Sequence, residues 1–420
     1  MHRQSNLITL TLALLLATCN SSLASPVKST VEVVLNTPIE TDLNVPGLPA
    51  TADVWCKMID SATHSIDLEQ FYLCNKPGEA LEPVLNALHA AAARGVQIRL
   101  LLDSKFYGKY HTDADALNQI PNVQVRTVDF SARGGIQHAK YFVVDDAQAF
   151  VGSANFDWVA LTHVHEVGVH ITDGAAPRNL ERIFNFDWHN ARPLPSENRD
   201  RQAPVSAVAA VPSASASPSK ADAAQSKADA LDMYTSNPII VASPPEAVPA
   251  HTLDTARTLI RCTNIANKSL RIQVYEYSAR TKDLSEPFFI DEIIRNAAAR
   301  GAQVELLVDQ TSLKKGRVDL QKLAALKNVQ VRIVRIPAWS GGFVPYGRLV
   351  HSKYCIVDSK LCWVGSENFS DNYFTSCRNV GVITGDPDVI SSLTKIFDKL
   401  WSSPYATAID AQANATPAAP

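Results

Sequence analysis

The sequence predicts an α/β protein made of two homologous sandwich halves, each a mixed β-sheet flanked by helices. Three observations carry that expectation. Strand-like and helix-like patterns alternate along the chain. One block of the pattern returns about 210 residues later. Between the two copies lies a segment too poor in apolar side chains to build a core.

The elements of the first copy follow in order. "IDLEQFYL" (66–73) and "VQIRLLLD" (96–103) have the β-branched, apolar character of strands. Between them "ALEPVLNALHAAAARG" (80–95) has helical spacing of apolar residues and stops at a glycine. "VQVRTV" (123–128), "AKYFVVDD" (139–146), "AFVGS" (149–153) and "EVGVHIT" (166–172) read as further strands, and "NLERIFNFDW" (179–188) as a closing helix.

The repeat is read directly. "AAARGVQIRLLLD" at 91–103 returns as "AAARGAQVELLVD" at 297–309, a shift of 206. "NVQVRTV" and "NVQVRIV", and Cys56 and Cys262, keep the same shift. From His138 and His351 onward the shift is 213, which places a seven-residue insertion within "RIPAWSGGFVPYGRLVH". The halves are expected at 30–192 and 233–405. An Ala/Ser/Pro-rich flexible linker is expected at 193–232 and a disordered tail at 406–420.

The chain opens with one arginine, an apolar run from Leu7 to Ala17, and Ser22-Leu23-Ala24, the layout of a secretory signal peptide over 1–24 with cleavage after Ala24. The run falls short of the ~20 residues that span a bilayer. A secreted or periplasmic protein without a membrane-spanning segment is expected. Net charge is −3, which argues against a polyanion held by bulk charge, so any phosphate binding must be local. Beyond Cys19, six cysteines remain at 56, 74, 262, 355, 362 and 377; their spacings suit no zinc site, leaving free thiols or one or two bridges.

The chemistry lies in "IQHAKYFVVDDAQAFVGSANFDW" (136–158) and its copy "LVHSKYCIVDSKLCWVGSENFSD" (349–371). Side chains two apart on a strand share a face, so His138 projects with Lys140 and His351 with Lys353. Ser153 and Asn155, like Ser366 and Asn368, fall at a strand-to-helix junction suited to an anion. A single histidine on a strand is more often structural than catalytic. Here the polar set occurs twice with fixed spacing while apolar neighbours change (Phe142 to Cys355, Phe150 to Trp363). Core packing does not explain that.

These motifs resemble the phospholipase D superfamily, whose signature H-x-K-x-x-x-x-D with G-S-x-N occurs twice. "GSANFDWVALTHVHEVGV", "SENFSDNYFTS" and "IFDKLWSSPY" look like the animal lysosomal 5′ exonucleases and the poxvirus envelope and nicking-joining proteins. The resemblance implies a pseudo-twofold phospholipase D-like fold, with the catalytic unit formed within one chain. It implies catalytic His138, Lys140, Asp145, His351, Lys353 and Asp358, and phosphate binding by Ser153, Asn155, Ser366 and Asn368. One histidine attacks phosphorus and the other protonates the leaving oxygen; the lysines supply positive charge, so neither metal nor cofactor is implied. Asp145 and Asp358 fit a structural role as well as a catalytic one. Glu166 matches the family's acid that orients a motif histidine, while the equivalent position holds Asn379. Its expected partner is His138, which would make His138 the nucleophile.

The implied activity is phosphodiester hydrolysis, with single-stranded nucleic acid favoured as substrate. Trp158, Trp339, Tyr346, Tyr373 and Phe374 are candidate stacking platforms. The alternative is a phospholipase D releasing headgroups, with "AWSGGFVPYG" (338–347) touching lipid. A catalytically inactive phosphate-binding protein is the remaining alternative, and the intact motif residues argue against it.

Overall fold

Two runs of parallel strands form the centre of each half. In the computed structural model, which describes residues 30–194, 237–281 and 287–410, Ser65–Gln70 pairs in parallel with Gln97–Asp103, and that strand with Val123–Val128. Both faces of these strands are covered, which is why they read as continuous apolar runs. On the other side of Ser65–Gln70 the sheet turns antiparallel through Tyr141–Val144, Gln148–Gly152, Val164–Thr172 and Thr30–Asn36, with Arg192–Pro193 at the far edge. The second half repeats this order strand for strand: Ile239–Ser243, Asn379–Thr384, Leu361–Gly365, Tyr354–Val357, Ser269–Val274, Gln303–Asp309, Val329–Val334 and Ala406–Ala408, with Leu253–Asp254 added outside. The duplicated mixed sheet expected from the repeat is therefore present.

Helices Thr51–Ser61 and Glu82–Ala93 cover the outer face of the first sheet, burying Trp55, Met58, Ile59, Val84 and Leu88. The second of them stops where Gly95 takes a left-handed φ of 94°, and Gly301 repeats this at 96°. The inner faces of both sheets share one core with Ala176–Asn190 and Pro387–Trp401. Each of these two helices packs against the first strand of the opposite half, Ile239–Ser243 and Thr30–Asn36 respectively. The exchange is symmetric, so the halves cannot separate without opening a core. Asp386 starts the second helix by accepting from the Asp388 and Val389 N–H groups.

Several boundaries differ from the sequence reading. The expected signal peptide over 1–24, linker residues 195–232 and tail residues 411–420 lie outside the described residues. The second half runs past 405, because Ala406–Ala408 pairs with Arg332–Val334. The first half likewise includes Pro193. The strand expected over 66–73 divides at Gln70, and Leu73–Cys74 pairs instead with Phe156–Asp157. Cys56, Cys74, Cys355, Cys362 and Cys377 carry free thiols. No described helix is long and apolar enough to cross a membrane.

Candidate active site

His138 and Lys140 sit just before the strand Tyr141–Val144, in a segment whose Lys140 carbonyl still accepts from the Gly152 N–H of its own sheet at 3.1 Å. The other half holds it there. The His138 N–H donates to the Arg378 carbonyl at 2.8 Å, and the Arg378 N–H to the Ile136 carbonyl at 2.9 Å. In the mirrored position the His351 N–H donates to the His165 carbonyl at 2.9 Å, and Leu349–Val350 pairs with Val164–His165. Gly135 makes this crossing possible: a Cβ there would lie 2.0 Å from the Ser376 carbonyl oxygen. Each motif histidine is thus anchored to the half that does not carry it.

The side chains cross in the same way. His351 Nδ1 lies 2.8 Å from Glu166 Oε1 of the first half, and His138 Nδ1 lies 2.9 Å from Asn379 Oδ1 of the second. The expected pairing of Glu166 with His138 is therefore overturned: Glu166 serves His351. Strand Val164–Thr172 begins at the seam, so its residue 166 faces the partner half's imidazole. The Asn379 amide is oriented by donating to the Tyr373 carbonyl at 2.7 Å, which leaves Oδ1 to accept. Both Nδ1 atoms then act as donors, and the Ser153 backbone is a further partner of His351.

Ser153 and Ser366 are fully buried and stand behind these acceptors. Ser153 Oγ donates to Glu166 at 2.5 Å and Ser366 Oγ to Asn379 Oδ1 at 3.0 Å. This corrects their expected place at the phosphate: they hold the groups that hold the histidines. Asn155 and Asn368 each keep a buried Oδ1 without a hydrogen-bond partner. Asp145 and Asp358, grouped with the catalytic residues, lie elsewhere. Five residues of extended chain past the lysine is roughly 16 Å. Asp145 accepts from the N–H groups of Thr63, His64 and Ser65, and Asp358 from those of Asn267, Lys268 and Ser269. Both aspartates clasp a turn.

Lys140 and Lys353 are buried, and each ammonium reaches the carbonyl of its own motif histidine. Burial, and next to it the neighbouring lysines, hold both imidazoles well below their ordinary range. Burial brings Lys353 down to about 7 and lowers Lys140 strongly, the latter with help from Lys353. Burial raises Glu166 to about 7 against the pull of the lysines. Four basic side chains thus share one buried cluster, with Glu166 among them and the buried Glu367 carboxyl close enough to act on both lysines.

Aromatic rings wall the histidines. Phe71 meets His138 edge-on at 5.0 Å, and the equivalent Tyr275 meets His351 at 5.0 Å. Tyr373 closes the other side of His138 at 4.8 Å. Of the five candidate platforms, Tyr373 is thus at the site. Phe374 is buried in the core against Phe288 and Phe289, Trp158 and Trp339 lie on His163, and Tyr346 is 72% exposed. Phe71 and Tyr275 were missed, although both follow the equivalent strands Ser65–Gln70 and Ser269–Val274 and could have been found from the repeat. Also missed was the buried pair at the seam, in which Arg378 grips Asp187 at 2.6 and 3.0 Å and caps the Ser243 and Ala247 carbonyls.

A duplicated sheet that brings two His-Lys pairs to one seam defines a phosphodiesterase of the phospholipase D superfamily. Comparison with known proteins agrees: residues 55–188 and 259–401 each match the family described as cardiolipin synthase, PLD-like domain, and the chain belongs to that family. It is similar to the 5′-3′ exonuclease PLD3 of Macaca fascicularis, 29% identical with 93% of this chain and 83% of that protein covered. It is equally similar to phospholipase D Z of Dictyostelium discoideum, 29% identical with 87% of each covered. Phosphatidylserine synthase of Haemophilus influenzae shares the fold, with a TM-score of 0.56, 14% identity and 85% of each chain covered.

Proposed function

We propose that the protein is an exported, metal-independent phosphodiesterase that cleaves single-stranded nucleic acid through a phosphohistidine. The observation that carries the reaction is the crosswise set at the seam: two histidines, each held through Nδ1 by the opposite half, beside two buried lysines. Such a cluster of bases favours an anion in its midst, and a phosphodiester supplies one negative charge there.

His351 is the nucleophile. Its Nε2 attacks phosphorus and the bond to the leaving oxygen breaks, while His138, protonated once the bound phosphodiester offsets the lysines, gives that oxygen a proton. The Glu166 carboxylate stabilises the positive imidazole ring of the phosphohistidine, which neutral Asn379 cannot do for His138. A water then yields its proton to His138 and attacks phosphorus, the P–N bond breaks, and both histidines return to their starting state. Lys140, Lys353 and the Asn155 and Asn368 amides meet the non-bridging oxygens.

Nucleic acid is favoured because the relative named an exonuclease aligns over nearly the whole chain and because rings line the approach to His138. The second reading is a phospholipase, favoured by the relative named phospholipase D and by Phe343, 90% exposed in the inserted loop. Export rests on the leader at residues 1–24. The test is turnover in EDTA of a single-stranded oligonucleotide and of phosphatidylcholine micelles, with acid-quenched samples probed for phosphohistidine. Oligonucleotide shortening and an adduct that persists in His138→Ala but not in His351→Ala are expected. Headgroup release alone would make it a phospholipase, and an adduct surviving in His351→Ala would reverse the two histidines.

A further inference from the structure

The insertion in the second half carries Tyr346 into solvent, and the structure explains how it is held there. Arg348 is buried beneath it, donating to the Pro337 and Ile39 carbonyls at 2.6 Å each, and its N–H donates to the His163 carbonyl at 2.7 Å. Ser340 is tied to Glu40 of the first half. Tyr346 itself has φ +60°, a conformation that a bulky residue keeps only when its surroundings impose it. The loop is therefore a fixed lip rather than a loose flap.

Facing it from the first half is a file of rings that begins at the catalytic histidine. Phe71 touches His138, Tyr72 touches Phe71 at 5.2 Å, and Tyr110 stacks on Tyr72 at 4.9 Å and 26°. Lys109 closes the gap: its ammonium lies 4.9 Å from the Tyr110 ring and 5.7 Å from that of Tyr346. Aromatic faces interleaved with an exposed cation, running outward from the scissile position, suit a chain of flat bases joined by phosphates.

We propose that Lys109, Tyr110 and Tyr346 form a second binding position for single-stranded nucleic acid, beyond the reacting phosphate. An unpaired base stacks at the tyrosines and the adjoining phosphate meets Lys109. The inference rests on the nuclease reading above and specifies where the polymer runs. It makes the seven-residue insertion the device that distinguishes a polymer from a small diester.

The test compares the full-length protein with Tyr346→Ala, Tyr346→Phe and Lys109→Gln on a single-stranded oligonucleotide, on the p-nitrophenyl ester of thymidine monophosphate and on phosphatidylcholine micelles. Tyr346→Ala is expected to raise the oligonucleotide KM roughly tenfold, as the loss of one stacked base does. The small diester should change less than about twofold, and Tyr346→Phe should resemble wild type. Lys109→Gln should flatten the salt dependence of the oligonucleotide KM. Replacing the bases beyond the scissile linkage by abasic sites should cost wild type the same factor and Tyr346→Ala nothing more. Equal oligonucleotide KM values in wild type and Tyr346→Ala would overturn the site while leaving the nuclease reading intact. Wild type that splits the small diester but not the oligonucleotide would overturn both. Loss confined to phosphatidylcholine micelles would overturn the site in favour of a lipid contact.

Discussion

Replacing Glu166 by glutamine tests the crosswise arrangement most directly. The change keeps an acceptor for His351 Nδ1–H and removes only the charge. A carboxylate 2.8 Å from Nδ1 lies about 4 Å from the centre of the ring charge. With an effective dielectric of ~20 that attraction is on the order of 4 kcal/mol, or nearly three decades in the step that places positive charge on His351. Ionisation limits how much of it is expressed. The Glu166 carboxyl is raised to about 7 by burial, so it is charged above that pH and largely neutral well below it. The loss in kcat should therefore be about 10²- to 10³-fold at pH 8 and shrink to about 3- to 30-fold at pH 5.5. The assay is single-turnover hydrolysis of a small phosphodiester across that range, with acid quench to count phosphohistidine. Accumulation of the adduct should fall with kcat. A loss that is equal at both pH values, or normal phosphohistidine formation at pH 8 in Glu166→Gln, would refute the assignment of Glu166 to a charged nucleophilic pair.

Further outcomes follow from the same geometry. For the wild-type enzyme, kcat/KM should peak near neutrality, because Glu166 gains its charge as pH rises through about 7. Lys353 loses its proton as pH rises through about 7, whereas the imidazoles stay neutral to well below their ordinary range; a pH–rate profile with its optimum above 8 would contradict this. Asp145→Asn should leave kcat unchanged and cost about 1–2 kcal/mol in urea unfolding, as expected for a lost charge-assisted turn clasp. Burial works against its carboxylate, but the hydrogen bonds from Ser65, Thr63 and His64 outweigh it and hold it below the ordinary value. Its contribution is therefore present at neutral pH and lost as pH falls through that lowered value. Arg378→Met strands Asp187 without its partner inside the seam and should cost about 3–5 kcal/mol, measured by the same unfolding midpoint.

Much of this protein was legible in its sequence because duplication makes a chain its own comparison. The repeated string identified His138, Lys140, His351 and Lys353 as one set, and the alternation of patterns gave two mixed sheets whose strand orders match. What failed was everything that depended on which half faces which. Period-2 spacing states that His138 and Lys140 share a face, but not what stands opposite, so Glu166 was assigned to the histidine of its own half. The serines after Gly152 and Gly365 looked like anion ligands because their hydroxyls could equally donate to a phosphate or to a buried carboxyl or amide. Asp145 and Asp358 belong to the motif by spacing alone; distance along an extended chain removes them from the chemistry.

The sequence by itself determined the number of halves, their internal order and the identity of the basic residues, because these follow from local periodicity and from repetition. Only the tertiary structure decided that each histidine is oriented by the other half, with a carboxylate for His351 and a neutral amide for His138. It also placed Phe71, Tyr275 and Tyr373 around them and set Tyr346 opposite Lys109. These are contacts between residues 67 to 241 positions apart. They arise where two sheets close on a shared core, and no pattern within a single strand or helix encodes that meeting.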